Sequence, residues 1–156
     1  MAQPVCIRFW ERNKKGEKID SLKKARLVLR LALYRKAEDA KILDMRQAAN
    51  FCDFFILLSA SSGRRAQAIV EHIQDGLREK RIPIRAQEGL HGSSWIVVDL
   101  FDVVVHIFTE GAREYYNLDR LWADAPVVNI PAQKNAHKRA YRRSPPQSAD
   151  RKVSSR

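Results

Sequence analysis

The seven residues Phe54-Phe55-Ile56-Leu57-Leu58-Ser59-Ala60 constrain the fold more than any other stretch of this chain. A run this short has the length of a strand, and it lacks the polar alternation of a strand with one wet face. It therefore predicts a strand buried on both faces. Such a strand needs cover on both sides, which calls for a sheet of several strands with helices packed against it. The flanking patterns supply both.

Asp20 or Ser21 is a good N-cap for a helix running to about Lys36. Leu22, Ala25, Leu29, Ala32 and Leu33 recur at three- and four-residue spacing as its inward stripe. Lys23, Lys24, Arg26, Arg30 and Arg35 occupy most of the rest, a pattern that reads first as a solvated face and second as an RNA contact. Lys41 to Arg46 reads as a strand preceding the apolar run. Ser61 or Ser62 then caps a helix from Gly63 to about Lys80, with Ala66, Ile69, Val70, Ile73 and Leu77 turned inward. Arg81-Ile82-Pro83 ends it. Ile84 to Gln87 is a short strand, and Glu88 to Ser93 a glycine-containing loop. Ser94 to Leu100 and Val103 to Phe108, rich in Val and Ile, form a hairpin around Phe101-Asp102. A last helix is expected over Ala112 to Asp124, with Tyr115, Leu118, Leu121 and Trp122 inward. The order α-β-β-α-β-β-β-α predicts an α+β domain, a mixed sheet flanked by helices.

Charge divides the chain into three parts. Residues 1–36 hold 11 Lys/Arg against 3 Asp/Glu, residues 37–128 hold 10 against 14, and residues 129–156 hold 8 against 1. The net charge of +11 thus sits in two basic arms around an acidic centre. Basic arms suit phosphate backbones, whereas an acidic domain suits a basic protein. The boundaries expected are a basic extension at 1–19, a folded domain at 20–128 and a basic, disordered tail at 129–156, whose Lys, Arg, Ser, Pro and Gln leave little to bury. No apolar run approaches the roughly 20 residues of a membrane span. Two cysteines, Cys6 and Cys52, are too few for a disulfide framework or a zinc site, and a reducing cytoplasm fits.

Catalytic chemistry finds little support. Cys52 with His91 or His106 lacks any nucleophile motif, and a cysteine before a buried strand usually behaves as a small apolar residue. Ser61 to Arg64 joins a strand to a helix N-terminus, a place that can hold phosphate. A nucleotidyltransferase would also place two metal-binding carboxylates, spaced D-x-D, on the next strand. Ile84 to Gln87 has neither Asp nor Glu, and Asp99 and Asp102 bracket a turn that points them apart. His106 shares a strand face with Val104 and Phe108, while Trp95, Val97 and Asp99 share one on the preceding strand. Turned to solvent, Trp95 is an interface anchor; turned inward, it is core.

Seven ordered blocks together resemble one family. They are Ala37 to Arg46 (AEDAKILDMR), Asp53 to Ile56 (DFFI), Ser61 to Arg64 (SSGR), Glu88-Gly89, Ser94 to Asp99 (SWIVVD), Asp102 to Phe108 (DVVVHIF) and Arg113 to Trp122 (REYYNLDRLW). Over about Ser21 to Asp124 this pattern is similar to the Iojap-related ribosomal silencing factors. The resemblance implies a sheet related to the nucleotidyltransferase fold, without the catalytic carboxylates, enzymatic activity or cofactor. It implies docking on large-subunit ribosomal protein fourteen, where the bound factor blocks joining of the small subunit and lowers translation. By matching position, Trp95 is the apolar anchor, Glu88, Asp99 and Asp102 are acidic contacts or their supports, and His106 and Tyr116 are flanking contacts. Two residues depart from the family pattern: Phe101 stands where a turn glycine is common, and Cys52 where threonine is usual. The basic arms exceed the family core and are expected to lie along ribosomal RNA, and the hairpin could pair with itself in the free protein. Competing expectations are a general RNA-binding protein acting through its arms, and a nucleotidyltransferase relative using the Ser61–Arg64 turn.

Overall fold

A computed structural model of the chain describes residues 19–109 and 111–130. The expected basic extension (1–19) and disordered tail (129–156) lie outside the described residues, apart from Ile19 at one end and Asn129-Ile130 at the other.

Helix α1 (Ser21–Tyr34) begins where Asp20 accepts a hydrogen bond from the Lys23 amide, 3.3 Å. It ends two residues before the expected Lys36, because Lys36 adopts a left-handed φ of 61° and the Ala37 amide turns back to the Ala32 carbonyl. Strand β1 (Glu38–Asp44) starts earlier than expected. An irregularity between Glu38 and Lys41, with Asp39 at φ 44°, lets Glu38 pair with Ser59 despite the shift in register. Strand β2 (Phe54–Ala60) is followed by helix α2 (Gly63–Glu79), capped by Ser62. Strands β3 (Ala86–Glu88), β4 (Trp95–Asp99) and β5 (Val103–Thr109) complete the sheet.

The strand order is β1-β2-β5-β4-β3, with β2 and β5 parallel and the other neighbours antiparallel. The outer edge of β1 is covered: the Asp44 amide donates to Pro126 O and the Val128 amide to Ile42 O, both 2.8 Å. All of β2 but Ser59 is buried, as the apolar run demanded.

Each sheet face has its own core. On one, α1 and α2 press Ala25, Val28, Leu29, Ile69 and Ile73 against Phe54, Ile56, Leu58, Ile96, Val98, Val105 and Ile107. On the other, Leu43, Met45, Phe55, Leu57, Phe108 and Leu118 form a smaller cluster, with Trp95, Val104 and Trp122 partly buried beside it. The five residues expected inward on the second helix are all buried. On the first, Val28 joins the stripe, and Leu22 and Leu33 lie at its margins.

The last helix departs from expectation. Ala112 to Asp124 forms not one helix but two short ones, α3 (Ala112–Tyr116) and α4 (Leu118–Leu121). Asn117, at φ 45° and ψ 50°, stops the first in a left-handed cap and starts the second, its side chain accepting from the Arg120 amide. Asparagine suits both tasks. The break rotates the helical stripe: Leu118 and Trp122 face the sheet, but Tyr115 is 83% exposed and Leu121 69% exposed, contrary to the inward placement expected.

Candidate functional site

On the sheet face away from α1 and α2, pairing brings side chains into rows. Asp99 of β4 stands beside Val104 of β5 and Phe55 of β2; Val97 beside His106 and Leu57; Trp95 beside Phe108 and Ser59. Alternation along each strand puts all nine on one face. Glu88, exposed at the end of β3, pairs in register with Val97.

Trp95 is half-buried, so core and interface are not exclusive readings for it. Its Nε1–H donates to Nδ1 of His106 at 3.2 Å. Its ring lies 5.3 Å from Phe108, the planes 27° apart, and 4.6 Å from Tyr116. The indole thus has its polar atom satisfied from below and leaves part of its ring uncovered, which suits an aromatic anchor. Aromatic contact continues across the sheet through His106 and Phe55 to Trp122 and Phe51. Tyr116 is 43% exposed and Phe51 56%.

His106 is buried, at 6% exposure, so it supports the indole rather than presenting itself at the surface. Accepting at Nδ1 places its proton on Nε2, an atom buried without a hydrogen-bond partner among the described residues. Burial pushes its pKa down from 6.5 to about 4. A group depressed in the folded state contributes stability above its unfolded pKa and loses it as pH falls through the folded one. Thermal stability should therefore decline between pH 6.5 and about 4, and His106→Gln should remove that part of the decline. Identical profiles from calorimetric melts of the two proteins would contradict this.

The acidic residues divide. Asp99, half-buried, accepts from the Phe101 amide at 2.8 Å, and its other oxygen lies 3.6 Å from the exposed Arg85 guanidinium. It steadies the left-handed Phe101, at φ 76°, which occupies the turn position where glycine would be free of strain. Asp102 is turned to the helix layer, where Lys24 of α1 bonds both its carboxylate and the Leu100 carbonyl. Asp102 thus ties the hairpin to α1, and the two aspartates point apart, as expected.

An ionic clamp joins α3, the helix that carries Tyr116, to α4 and the sheet. Arg113 bonds Asp119 through Nε at 2.7 Å and Nη2 at 3.2 Å, and its Nη1 donates to Asp39 O and Ser59 Oγ. Lys41 adds a second cation at 2.7 Å, and hydrogen bonding to Arg113 leads in pulling the Asp119 pKa down to about 2. Sequence reading missed this clamp, because its members come from four separate segments. It also passed over Val97 and Val104 as site residues, although alternation had placed them on this face.

Other chemistry is sparse. A groove of about 480 Å³ is lined by Arg46, Phe51, Cys52, Asp53, Phe101 and Asp102, among others. Its Cys52 thiol is pushed up to about 12 by burial and nearby carboxylates, which keeps it protonated at neutral pH. Ser62 spends its hydroxyl capping α2, and β3 carries a single carboxylate, Glu88. Among the described residues, no group of three or more His, Cys, Asp or Glu could hold a metal ion.

The family described as "Ribosomal silencing factor during starvation" matches residues 18–155. The chain belongs to the ribosomal silencing factor family. The family's Bacillus subtilis member is 40% identical over 96 residues, 62% of this chain and 81% of that protein. The Halalkalibacterium halodurans member is 38% identical over 96 residues, 62% of this chain and 82% of its own length. The chloroplastic protein Iojap of Zea mays is 34% identical over 96 residues, which are 62% of this chain and 42% of that protein. A crystal structure from Bacillus halodurans superposes with a TM-score of 0.61 at 34% identity, covering 67% of this chain and 95% of that one. One from Chromobacterium violaceum gives 0.66 at 26% identity, covering 74% and 98%. No described helix is long and apolar enough to cross a membrane.

Proposed function

We propose that the protein binds the large ribosomal subunit through large-subunit ribosomal protein fourteen and, seated there, sterically blocks the small subunit, repressing translation in the cytoplasm. The observation that carries this reading is the half-buried Trp95, fixed by His106, Phe108 and Tyr116 at the margin of the smaller core, on the sheet face away from α1 and α2. Glu88 and Asp99 border that face, and residues 37–128 have more Asp/Glu than Lys/Arg, which suits a basic ribosomal protein. The relatives named as ribosomal silencing factors support it further. Occlusion asks for no bond making, no cofactor and no metal. It asks for an interface of about 1,600 Å² in total, with an aromatic anchor near its centre.

Gradient sedimentation with separated subunits tests it. The protein should travel with large subunits and not small ones, and should reduce their joining. Asp99→Lys, placing a cation against a basic partner, should weaken co-sedimentation severalfold, most visibly at low salt. Undiminished binding by a folded Asp99→Lys variant would remove Asp99 from the interface. Binding to small subunits alone would overturn the proposal.

A further inference from the structure

The far side of the molecule has its own surface. On α1, Lys23, Arg26, Arg30 and Tyr34 are spaced by three, four and four residues, and all four are exposed. They form one stripe along the helix, opposite the buried Ala25, Val28, Leu29 and Ala32. Lys24, by contrast, is engaged by Asp102. None of the three stripe cations forms an ion pair among the described residues. Tyr34 is 75% exposed, and its ring stacks on His72 of α2 with centroids 5.0 Å apart and planes 22° from parallel. An exposed tyrosine backed on one side by an imidazole offers its other side as a stacking platform.

We propose that this stripe binds RNA, with Lys23, Arg26 and Arg30 following the phosphates of one strand and Tyr34 stacking an unpaired base. Cations one helical turn apart are separated by roughly 5–6 Å, a spacing that suits successive phosphates of a nucleic-acid strand. Cations beside an exposed aromatic ring are the usual means of holding single-stranded nucleic acid without reading its sequence. The residues ahead of α1 add Arg8, Arg12, Lys14, Lys15 and Lys18 on the same stretch of chain, so cationic sequence leads directly into the stripe. An anionic lipid surface would attract the same cations, but it gives no role to a stacked Tyr34–His72 pair. The inference stands apart from the docking proposal, because α1 packs on the sheet face opposite Trp95.

The test is fluorescence anisotropy of a labelled oligouridylate with the full chain across a salt series. Replacing Lys23, Arg26 and Arg30 together by alanine should lower the slope of log affinity against log salt by about 2, since each strand phosphate contributes about 0.7. Tyr34→Ala should weaken binding about tenfold, Tyr34→Phe should bind as the wild type does, and Tyr34→Leu, which still covers His72, should behave like alanine. An RNA duplex should respond to the triple variant but not to Tyr34. Trp95→Ala should leave oligonucleotide binding intact, so this result and the docking result can fail separately. A triple variant with an unchanged slope, or a Tyr34→Ala protein with wild-type affinity, overturns the proposal. So does loss of binding to phosphatidylserine vesicles in the triple variant while RNA binding persists.

Discussion

Trp95→Ala should weaken binding to large ribosomal subunits by about thirtyfold or more, corresponding to about 2 kcal/mol at an aromatic hot spot. The truncation has two effects. It removes the exposed part of the indole that the docking proposal gives to the partner. It also strips the donor from His106 Nδ1 and the ring packed between Phe108 and Tyr116. The second effect lowers stability, on the order of 2–3 kcal/mol from lost packing and an orphaned buried acceptor. Binding must therefore be measured well below the melting temperature. Trp95→Phe keeps a ring between Phe108 and Tyr116 but, like alanine, leaves His106 Nδ1 without its donor, so it retains the packing and loses the hydrogen bond. It should bind with intermediate affinity. If a folded Trp95→Ala protein binds as the wild type does, the indole is not the anchor.

Gly89→Ala should be among the most destabilising single-methyl changes in the domain. Gly89 has φ +78°, where an L side chain is strained by about 1–2 kcal/mol. A Cβ there would also overlap the carbonyl oxygen of Trp95 and crowd the Ile96 Cα at 3.3 Å. These are backbone atoms of a paired strand and cannot swing aside as a side chain can. The two penalties together should reach roughly 3 kcal/mol and lower the melting temperature by more than about 10 °C. Gly76 provides the comparison. A Cβ at Gly76 would meet Leu31 Cδ1 at 2.6 Å, but that atom ends a flexible side chain, and no left-handed φ is involved. Gly76→Ala should therefore cost much less. Equal melting temperatures for the two variants would contradict this assignment. Because Gly89 touches the backbone that carries Trp95, any Gly89→Ala protein that folds should also bind large subunits more weakly.

Features that depend on local period were readable in the sequence. Strand β2 and the inward face of α2 follow from hydrophobic spacing alone, and the structure buries them as expected. Strand alternation likewise put Trp95, Val97 and Asp99 on one face. What escaped depends on a single backbone angle or on long-range charge. The left-handed Asn117 cannot be inferred from the helical pattern around it, so Tyr115 and Leu121 were expected inward and stand exposed. The Lys24–Asp102 pair spans 78 positions: the turn points Asp102 away from Asp99, but nothing local signals that Lys24 of α1 meets it there. A lone histidine on a strand rich in valine reads as structural, and only the resemblance makes His106 a flanking contact; the pairing of β4 with β5 places it bonded beneath the indole. Tyr34, exposed at the end of α1, carries no signal in the sequence, because one aromatic at a helix end has no meaning without the His72 stacked on it.

In the docking proposal the Trp95 face, and not the helix layer, meets the large subunit's protein. Site-specific photocrosslinking tests this directly, with a photoreactive residue in place of Tyr116 beside the indole, or in place of Arg78, exposed on α2. With large subunits, the position-116 probe should capture ribosomal protein fourteen and the position-78 probe should not. Capture of that protein from position 78, with none from position 116, would contradict the account.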